Sequence, residues 1–494
     1  MRTIKERLYD ISVWLMLPFL GLLLVICIGG THHNIVWYKE LLVTLVFVVC
    51  IMVISSLILR GKNFLEKHEK KLLVVFLLLM GISLYAVSCL CRNIPMYDYS
   101  DLYNSAYSYA TGGPANWDYL SHWKNNFPLF FCLYGVMKLA VGIGIKDPFY
   151  ILLLMNVLLT VWAGYCIYRL VRLCTGSVAW SFIGMGLFFG FVPLWCGTNY
   201  FYTDSLSLSF GVAAVWILLR KKQGIKDGII AGLLWGMGYA LKATVAISLV
   251  AVFIVIWLKE KENRQLLLKL SISVFAFGAC LLLWTVIRMQ YPCYEMEKEN
   301  RVPITYWLAL GIHNDGSYPQ NKDFAVECLG SVGVTAKEQV AKDYIFTHIS
   351  GLWDWNHFVE KARYNFASGK MGSSEFNQYP VTPMYELIND YGKYGGYSTM
   401  FLSAYFYAIL LLGWSGFVVA YVKDKGKKQR KPIVTLFYTT QLTLFGFFLF
   451  LTIWESNNRQ LNNHIPWYAI YGAMGLYYPL QVLKKEESEG ESVC

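Results

Sequence analysis

The sequence predicts an all-α polytopic membrane protein with about twelve transmembrane helices. Of its 494 residues, 56% are hydrophobic and only 15% are charged, whereas soluble domains carry about 25% charged residues. Several apolar runs are close to 20 residues long and contain no charge, which suits a helix that crosses about 30 Å of hydrocarbon. The composition makes the lipid bilayer a partner and excludes a disordered chain, a disulfide-rich secreted scaffold and a nucleic-acid-binding protein.

The predicted spans follow from these runs in chain order. The first run, 11–30, has no small-residue cleavage site and is followed by further spans, so we expect a retained helix and not a signal peptide. A shorter run, 128–145, contains Lys138 and follows a polar loop, so it is either a thirteenth span or an element that dips into the membrane. The twelve predicted spans are 11–30, 41–59, 72–91, 148–168, 176–195, 205–219, 228–241, 244–258, 266–287, 398–422, 432–453 and 465–482.

The distribution of basic residues decides between the alternatives for 128–145. If this run stays outside, the cytoplasmic segments hold 26 Lys and Arg residues against 12 acidic residues, and the remainder of the chain holds 17 against 20. If it spans, basic clusters such as 423–431 move outside, against the positive-inside rule. We therefore predict a multi-pass protein of the cell membrane in which 128–145 is re-entrant or juxtamembrane and both termini are cytoplasmic.

This topology leaves two large outer loops, and loops on a rigid scaffold commonly carry function. Cys293 and Cys328 lie in the second loop and either pair or stay free. The predicted parts are an accessory N-terminal hairpin (1–71), a transmembrane module (72–287) with its first outer catalytic loop (92–147), a large extracytoplasmic loop domain (288–397), the C-terminal transmembrane helices (398–482) and a charged cytoplasmic tail (483–494) that we expect to be disordered.

The first candidate site residues are Asp98 and Asp101, which directly follow the third span. An acid at the membrane boundary costs a few kcal/mol unless it is paired or used. These carboxylates either cap a helix and face solvent, or one of them takes a proton from an acceptor hydroxyl as a general base.

Asp204 and Lys242 lie in two further outer turns. Asp204 heads a new helix, where its side chain can accept the free amide protons of the first turn, and this role is compatible with substrate binding. Lys242 stands between two short apolar runs. It either reaches out to the interface or neutralises an anion close to the lipid headgroups.

The last outer loop, 454–464, is unusually polar for a connection between two apolar helices. It contains Glu455, Arg459 and His464 together with four Asn residues. Because Arg is the side chain best shaped to bind phosphate through two hydrogen bonds, we favour a binding role for this loop. His313, in the large loop, is a weaker substrate-binding candidate because its surroundings are typical of a turn.

The combination of these residues resembles one superfamily. An acid directly after a span (Asp98), a second acid at the head of a later turn (Asp204), a Lys between short helices (Lys242) and a Glu/Arg pair in the last outer loop are similar to the C-type (GT-C) membrane glycosyltransferases. These enzymes use polyprenyl-phosphate-linked sugars, and protein O-mannosyltransferases and lipid A aminoarabinose transferases are members.

Local similarity extends beyond the charged residues. It runs from Asp98 through Gly112-Gly113 to Asn125-Asn126-Phe127-Pro128, and from Asn156 to Arg172. The segment 311–318, with Lys361 further on, looks like the long outer loop of Gram-positive members that decorate envelope polysaccharides.

The resemblance implies an enzyme that moves a sugar from a polyprenyl-phosphate donor of the undecaprenyl type to a hydroxyl of a glycopolymer or other glycan. Asp98 would be the catalytic base and Asp204 a second site carboxylate, while Lys242 and Arg459 would hold the donor phosphate. Substrate contacts would come in addition from Asp101, Glu455, His464 and His313. The chemistry agrees, because the departing phosphate is a weak base and no general acid is required.

Three alternatives stay open at this point. Asp98, Asp101 and Asp204 can share a divalent cation such as Mg²⁺ or Mn²⁺, although a base without a metal explains the residues equally well. A transporter or flippase of lipid-linked sugars also places charged residues in the membrane, but no inverted repeat is visible. An O-antigen-type ligase or polymerase is the third alternative.

Overall fold

The computed structural model describes residues 4–28, 30, 36–220, 224–259, 264–373, 383–424 and 432–490. These residues form 24 α-helices, and no strand occurs among them, so the predicted all-α class is confirmed. In chain order the helices are α1 (Ile4–Ile28), α2 (Trp37–Arg60), α3 (Lys62–Lys67), α4 (Glu69–Leu90), α5 (Tyr97–Ala110), α6 (Trp117–His122), α7 (Phe127–Gly142), α8 (Phe149–Thr175), α9 (Val178–Phe189), α10 (Val192–Gly197), α11 (Thr203–Ser207), α12 (Phe210–Leu219), α13 (Gly224–Leu241), α14 (Ala246–Lys259), α15 (Arg264–Arg288), α16 (Cys293–Asn300), α17 (Ile304–Gly311), α18 (Lys322–Gly330), α19 (Val334–His348), α20 (Trp355–Phe366), α21 (Pro383–Ile388), α22 (Gly395–Asp424), α23 (Pro432–Ile453) and α24 (Ile465–Gly490).

Each of the twelve predicted spans overlaps at least one helix of this series, and two of them, 176–195 and 205–219, each overlap two consecutive helices. In the described part of the chain, seven helices are long and apolar enough to cross a membrane, and they belong to α1, α2, α4, α8, α15, α22 and α23. The apolar helices in 178–189, 203–219 and 243–258 are shorter. The total of twelve spans and the orientation in the membrane stay predictions.

Close packing of the bundle is clearest between α13 and α15. Gly228, Gly232 and Gly236 form a stripe on α13, and a Cβ at Gly228 would lie 2.7 Å from the carbonyl oxygen of Lys269 on α15. Small residues at such a contact let two backbones approach, which matters in lipid because hydrophobic burial gives little drive for helices to associate.

The bundle has two chemically different ends. At the end where α13 begins, Asp227 pairs with Arg220 (2.6 Å) and with Lys269 (3.3 Å). At the other end α4, α13 and α23 finish and α8 and α24 begin, and the candidate residues of the polar turns follow or precede these helices. We call this second end the site end.

The large loop between α15 and α22 is folded into short helices. Tyr306, Leu310, Phe324 and Cys328 share an apolar core that is separate from the core of the bundle. Cys293 instead packs into the bundle core, and both cysteines are free. The disulfide considered for them is therefore not formed, because the two side chains belong to different cores.

Two boundaries differ from the sequence prediction. The run 128–145 forms α7, whose 16 residues extend about 24 Å, and its re-entrant or juxtamembrane position stays a prediction. The tail that we expected to be disordered continues α24 as far as Gly490, because Lys and Glu are good helix formers. The basic residues 425–431 and the last four residues of the chain lie outside the described residues.

Candidate active site

Asp98 stands in the first turn of α5, but it does not cap this helix. The N-cap residue is Met96, and no side chain accepts a hydrogen bond at this position. Tyr97 has a φ of 53°, a left-handed conformation that a bulky residue rarely adopts. Such strain recurs at functional sites, and here it immediately precedes the carboxylate.

Two tyrosines contact Asp98. The Tyr202 hydroxyl donates to Asp98 Oδ2 at 3.4 Å. Tyr119 also hydrogen-bonds to Asp98, and its hydroxyl accepts from Asn126 Nδ2 at 2.8 Å. Burial, and after it the charge of Asp98, raises the pKa of both phenols, so that each stays protonated and can donate to the carboxylate.

Asp204 lies at the centre of an ionic contact and does not cap α11. The N-cap of α11 is Tyr202, without a side-chain hydrogen bond. The Asp204 carboxylate is only 1% exposed and lies 2.8 Å from Lys242 Nζ and 3.2 Å from Arg459 Nε. Both contacts are ion pairs by distance and not aligned hydrogen bonds. A carboxylate this deeply buried would be very costly without its cations.

The 3-10 turn Asn458–His464 holds Arg459 in place. Asn457 is the N-cap of this turn, and its Oδ1 accepts a hydrogen bond from the Arg459 backbone amide at 3.0 Å. The guanidinium lies over the Tyr202 ring, 4.7 Å from the ring centroid, a cation–π contact. Gly372, at a φ of 80°, allows its backbone to pass close to the Arg459 side chain.

These contacts form one continuous set. Asp98 accepts a hydrogen bond from the hydroxyl of Tyr202, and the Arg459 guanidinium lies over the Tyr202 ring. Asp204 forms ion pairs with both Arg459 and Lys242. We call these five residues the charged cluster. It contains two carboxylates and two cations, and Tyr202 contacts Asp98 through its hydroxyl and Arg459 through its ring.

The large loop is fastened to the last loop by buried polar contacts. Lys361 Nζ donates to the Gly311 carbonyl and, at 2.7 Å, to the Trp454 carbonyl. Asn365 Nδ2 donates to Ser456 Oγ at 3.0 Å, and the Ser456 amide donates to the Gly316 carbonyl at 2.8 Å. The segment that carries Arg459 is therefore held by α20 and by the turn after α17.

Tyr306 of α17 lies within electrostatic reach of both candidate carboxylates. Burial raises its pKa most, and the charges of Glu455 and, more weakly, of Asp98 raise it further. The charge of Glu455 also raises the pKa of Lys361, against the larger lowering by burial. The large loop thus contributes a phenol within electrostatic reach of both the last loop and the candidate base.

The remaining predicted residues have different positions. Asp101 is near Asp98, and burial followed by the charge of Asp98 raises its pKa. His464 is buried and stacks on Phe447 at 3.7 Å. Burial lowers its pKa to about 3, so His464 is neutral. The His313 ring lies edge-on to Tyr344 and at a tilt to His348 in the loop domain instead of joining the cluster.

The three carboxylates proposed to share a cation do not fit a metal site. In the described ranges, no group of three or more His, Cys, Asp or Glu side chains comes together in a way that could hold a metal ion. Asp204, moreover, already faces Lys242 and Arg459.

Sequence reasoning missed three residues of the site, Tyr119, Tyr202 and Tyr306. All are tyrosines among 35 in the chain, so residue type alone could not select them. Tyr202 stands two positions before Asp204, and this proximity was the single local signal.

The comparisons with known proteins agree with this picture in part of the chain. Residues 135–287 match the sequence family described as "Dolichyl-phosphate-mannose-protein mannosyltransferase". This segment includes Asp204 and Lys242 but neither Asp98 nor Arg459, and it confirms the resemblance to the GT-C membrane glycosyltransferases. Among proteins of curated function, none matches the chain.

One solved structure is similar in outline. It is the archaeal oligosaccharyltransferase AglB from Archaeoglobus fulgidus, in complex with an inhibitory peptide and a dolichol-phosphate. The TM-score is 0.43 at 12% sequence identity, over 86% of this chain and 52% of AglB. The chain thus spans about half the length of that protein.

The buried amine of Lys361 predicts a pH dependence of stability. Burial lowers its pKa to about 7, whereas in the unfolded chain it would lie near 10.4, the value of an exposed Lys. Between these values the unfolded chain binds more protons, so this contribution to stability is complete above about pH 10 and is lost as the pH falls to about 7. The difference in thermal midpoint between the native protein and Lys361→Met should therefore grow from pH 7 to pH 10.

Lys322→Met is the matched control, because Lys322 is exposed in the same loop. The difference in thermal midpoint between Lys322→Met and the native protein should stay constant from pH 7 to pH 10. If the thermal midpoints of the native protein and of Lys361→Met changed in parallel with pH, the amine would not be buried as described.

Proposed function

We propose that this protein is a membrane glycosyltransferase that moves a sugar from a polyprenyl-phosphate donor to an acceptor hydroxyl at the site end of the bundle. The observation that carries the proposal is the charged cluster, in which the hydroxyl of Tyr202 contacts a candidate base, its ring lies under Arg459, and Asp204 pairs with both Arg459 and Lys242. The family match of residues 135–287 supports the same reaction class.

The reaction needs few groups. The acceptor hydroxyl loses its proton to Asp98 while its oxygen attacks the anomeric carbon, and the bond from this carbon to the phosphate oxygen breaks. The phosphate leaves with the electron pair, and Arg459 and Lys242 stabilise its charge. Because attack and departure occur on opposite sides of the carbon, the configuration inverts.

Asp204 has a positioning role in this scheme. It was a candidate for direct catalysis, but its burial between two cations makes it their shared counter-ion. It keeps two like charges close together before the donor arrives. The carboxylate thus prepares the phosphate site without touching the reacting atoms.

Tyr202 connects the two halves of the reaction. Its hydroxyl contacts the base, and its ring supports the guanidinium. A shift of either partner would be transmitted to the other through one rigid side chain. Base and leaving-group site are therefore aligned by the same residue.

The finer identity of the substrates rests on the resemblance of 311–318 and Lys361 to Gram-positive envelope enzymes. We propose an undecaprenyl-type lipid, a hexosyl or N-acetylhexosaminyl group and a cell-envelope polysaccharide as acceptor. A site at one end of the bundle suits a donor whose lipid tail stays in the membrane while its sugar reaches water. A transporter would instead place its charged residues near the bilayer midplane.

Asp98→Asn should lower sugar transfer at least about a hundredfold, because a general base contributes about that much or more. Asp101→Asn is the matched control on the same helix, and it should lower transfer less. The activities of both purified variants are measured at equal protein amounts, as transfer of radiolabelled sugar from a polyprenyl-phosphate donor. Equal activity of Asp98→Asn and the native protein would reassign the base.

Arg459→Ala should weaken donor binding by about 1.5–3 kcal/mol, the range for hydrogen bonds to charged groups. Arg459→Lys should restore part of this loss, because the charge returns without the fork geometry. Donor titrations of purified Arg459→Ala, Lys242→Ala and the surface control Arg92→Ala test the assignment. Unchanged affinity in the first two variants would place the phosphate elsewhere.

Tyr202→Phe and Tyr202→Leu should separate the two roles of Tyr202. The Phe variant loses the contact with Asp98 but keeps the ring under Arg459, so kcat should fall up to about tenfold, as for one hydrogen bond, with the donor KM unchanged. The Leu variant should also raise the donor KM. A donor KM that rises equally in both variants would contradict the assignment of the ring to Arg459.

A further inference from the structure

The loop domain exposes an apolar edge between α19 and α20. It consists of Phe346 (76% exposed), Ile349 (47%), Trp353 (90%) and Trp355 (56%). Exposed apolar patches of this kind commonly mark contacts with a membrane or a protein. Either a membrane or a protein could cover this edge.

The apolar edge adjoins the transmembrane helices directly. The Trp355 ring stacks on Phe358 at 5.3 Å, and the Phe358 ring lies 5.8 Å from Phe19 of α1 and 5.8 Å from Phe448 of α23. Both α1 and α23 contain candidate membrane spans. The start of α20 is therefore packed on two helices that belong in lipid.

The position of these contacts along the two helices gives their depth. Phe448 precedes the end of α23 at Ile453 by five residues, and Phe19 precedes the end of α1 at Ile28 by nine. At 1.5 Å per residue these positions lie about 8 and 14 Å inside the helix ends. In a bilayer with about 30 Å of hydrocarbon, Phe358 is at or below the headgroup level and not above it.

The chemistry of the edge suits that level. Within 346–355 the single Asp, Glu, Lys or Arg residue is Asp354, and its carboxylate is engaged at the start of α20, where it accepts from the Asn356 amide at 2.9 Å. Trp side chains are enriched at the membrane interface because the indole offers an apolar body and one N–H donor.

We propose that the apolar edge inserts into the bilayer surface and anchors the loop domain to lipid at the site end. The inference does not depend on the proposed reaction. Because α20 also carries Lys361 and Asn365, which hold the last loop, the lipid contact and the segment bearing Arg459 are fixed by the same helix.

Site-specific photo-crosslinking tests the anchor in the full-length protein. A benzoylphenylalanine placed at Trp353 is compared with one at Val332, which is 92% exposed but lies before α19, a helix of 15 residues and thus about 22 Å long. The protein is held in nanodiscs of phosphatidylglycerol and phosphatidylethanolamine, and lipid adducts are measured by mass spectrometry. We expect at least a tenfold higher yield of lipid adduct at position 353.

Both positions are exposed, so neither substitution removes a packed side chain, and size-exclusion profiles confirm that each variant is folded. Equal yields of lipid adduct at the two positions would overturn the proposal. So would crosslinks from position 353 to an added oligosaccharide or to a second copy of the chain without lipid adducts. Loss of sugar transfer is not used as a readout, so failure of the anchor and failure of the proposed function are distinguishable.

Discussion

The contact of Asp204 with Lys242 and Arg459 is the interaction on which the site depends. It joins three segments that are far apart in the chain, the start of α11, the turn after α13 and the 3-10 turn before α24. A buried carboxylate that loses its cationic partners is strongly destabilising, and two adjacent cations repel each other unless an anion lies between them. Each segment therefore needs the other two, and the helices that carry them are held in one arrangement at the site end.

The loop domain adds a second constraint on the same region. Its buried amine, Lys361, satisfies carbonyl groups on both sides, at Gly311 and at Trp454. The turn bearing Arg459 is thus fixed from the bundle through Asp204 and from the loop domain through α20. A guanidinium positioned from both directions loses little conformational freedom when an anion binds, which favours binding.

Tyrosines shape the side of the site that faces Asp98. Tyr119 and Tyr202 contact its carboxylate, and Tyr306 is close enough to feel its charge. Burial keeps these phenols protonated, so Tyr119 and Tyr202 can donate to the carboxylate without adding a charge. In the proposed reaction, these contacts would hold the Asp98 carboxylate in one orientation toward the acceptor hydroxyl.

The sequence by itself determined the membrane class, the helices behind all twelve predicted spans and the location of charged residues in the turns between them. Hydrophobicity and position along the chain are local properties, so Asp98, Asp204, Lys242 and Arg459 could be selected from one sequence. Only the tertiary structure decided which of them meet, because spans that are apolar on all faces give no sign of which face contacts which neighbour. Asp204 thus lies between two cations, His464 and His313 fall outside the cluster, and Tyr202 belongs to it, since contacts between residues from 38 to 257 positions apart depend on how the helices pack.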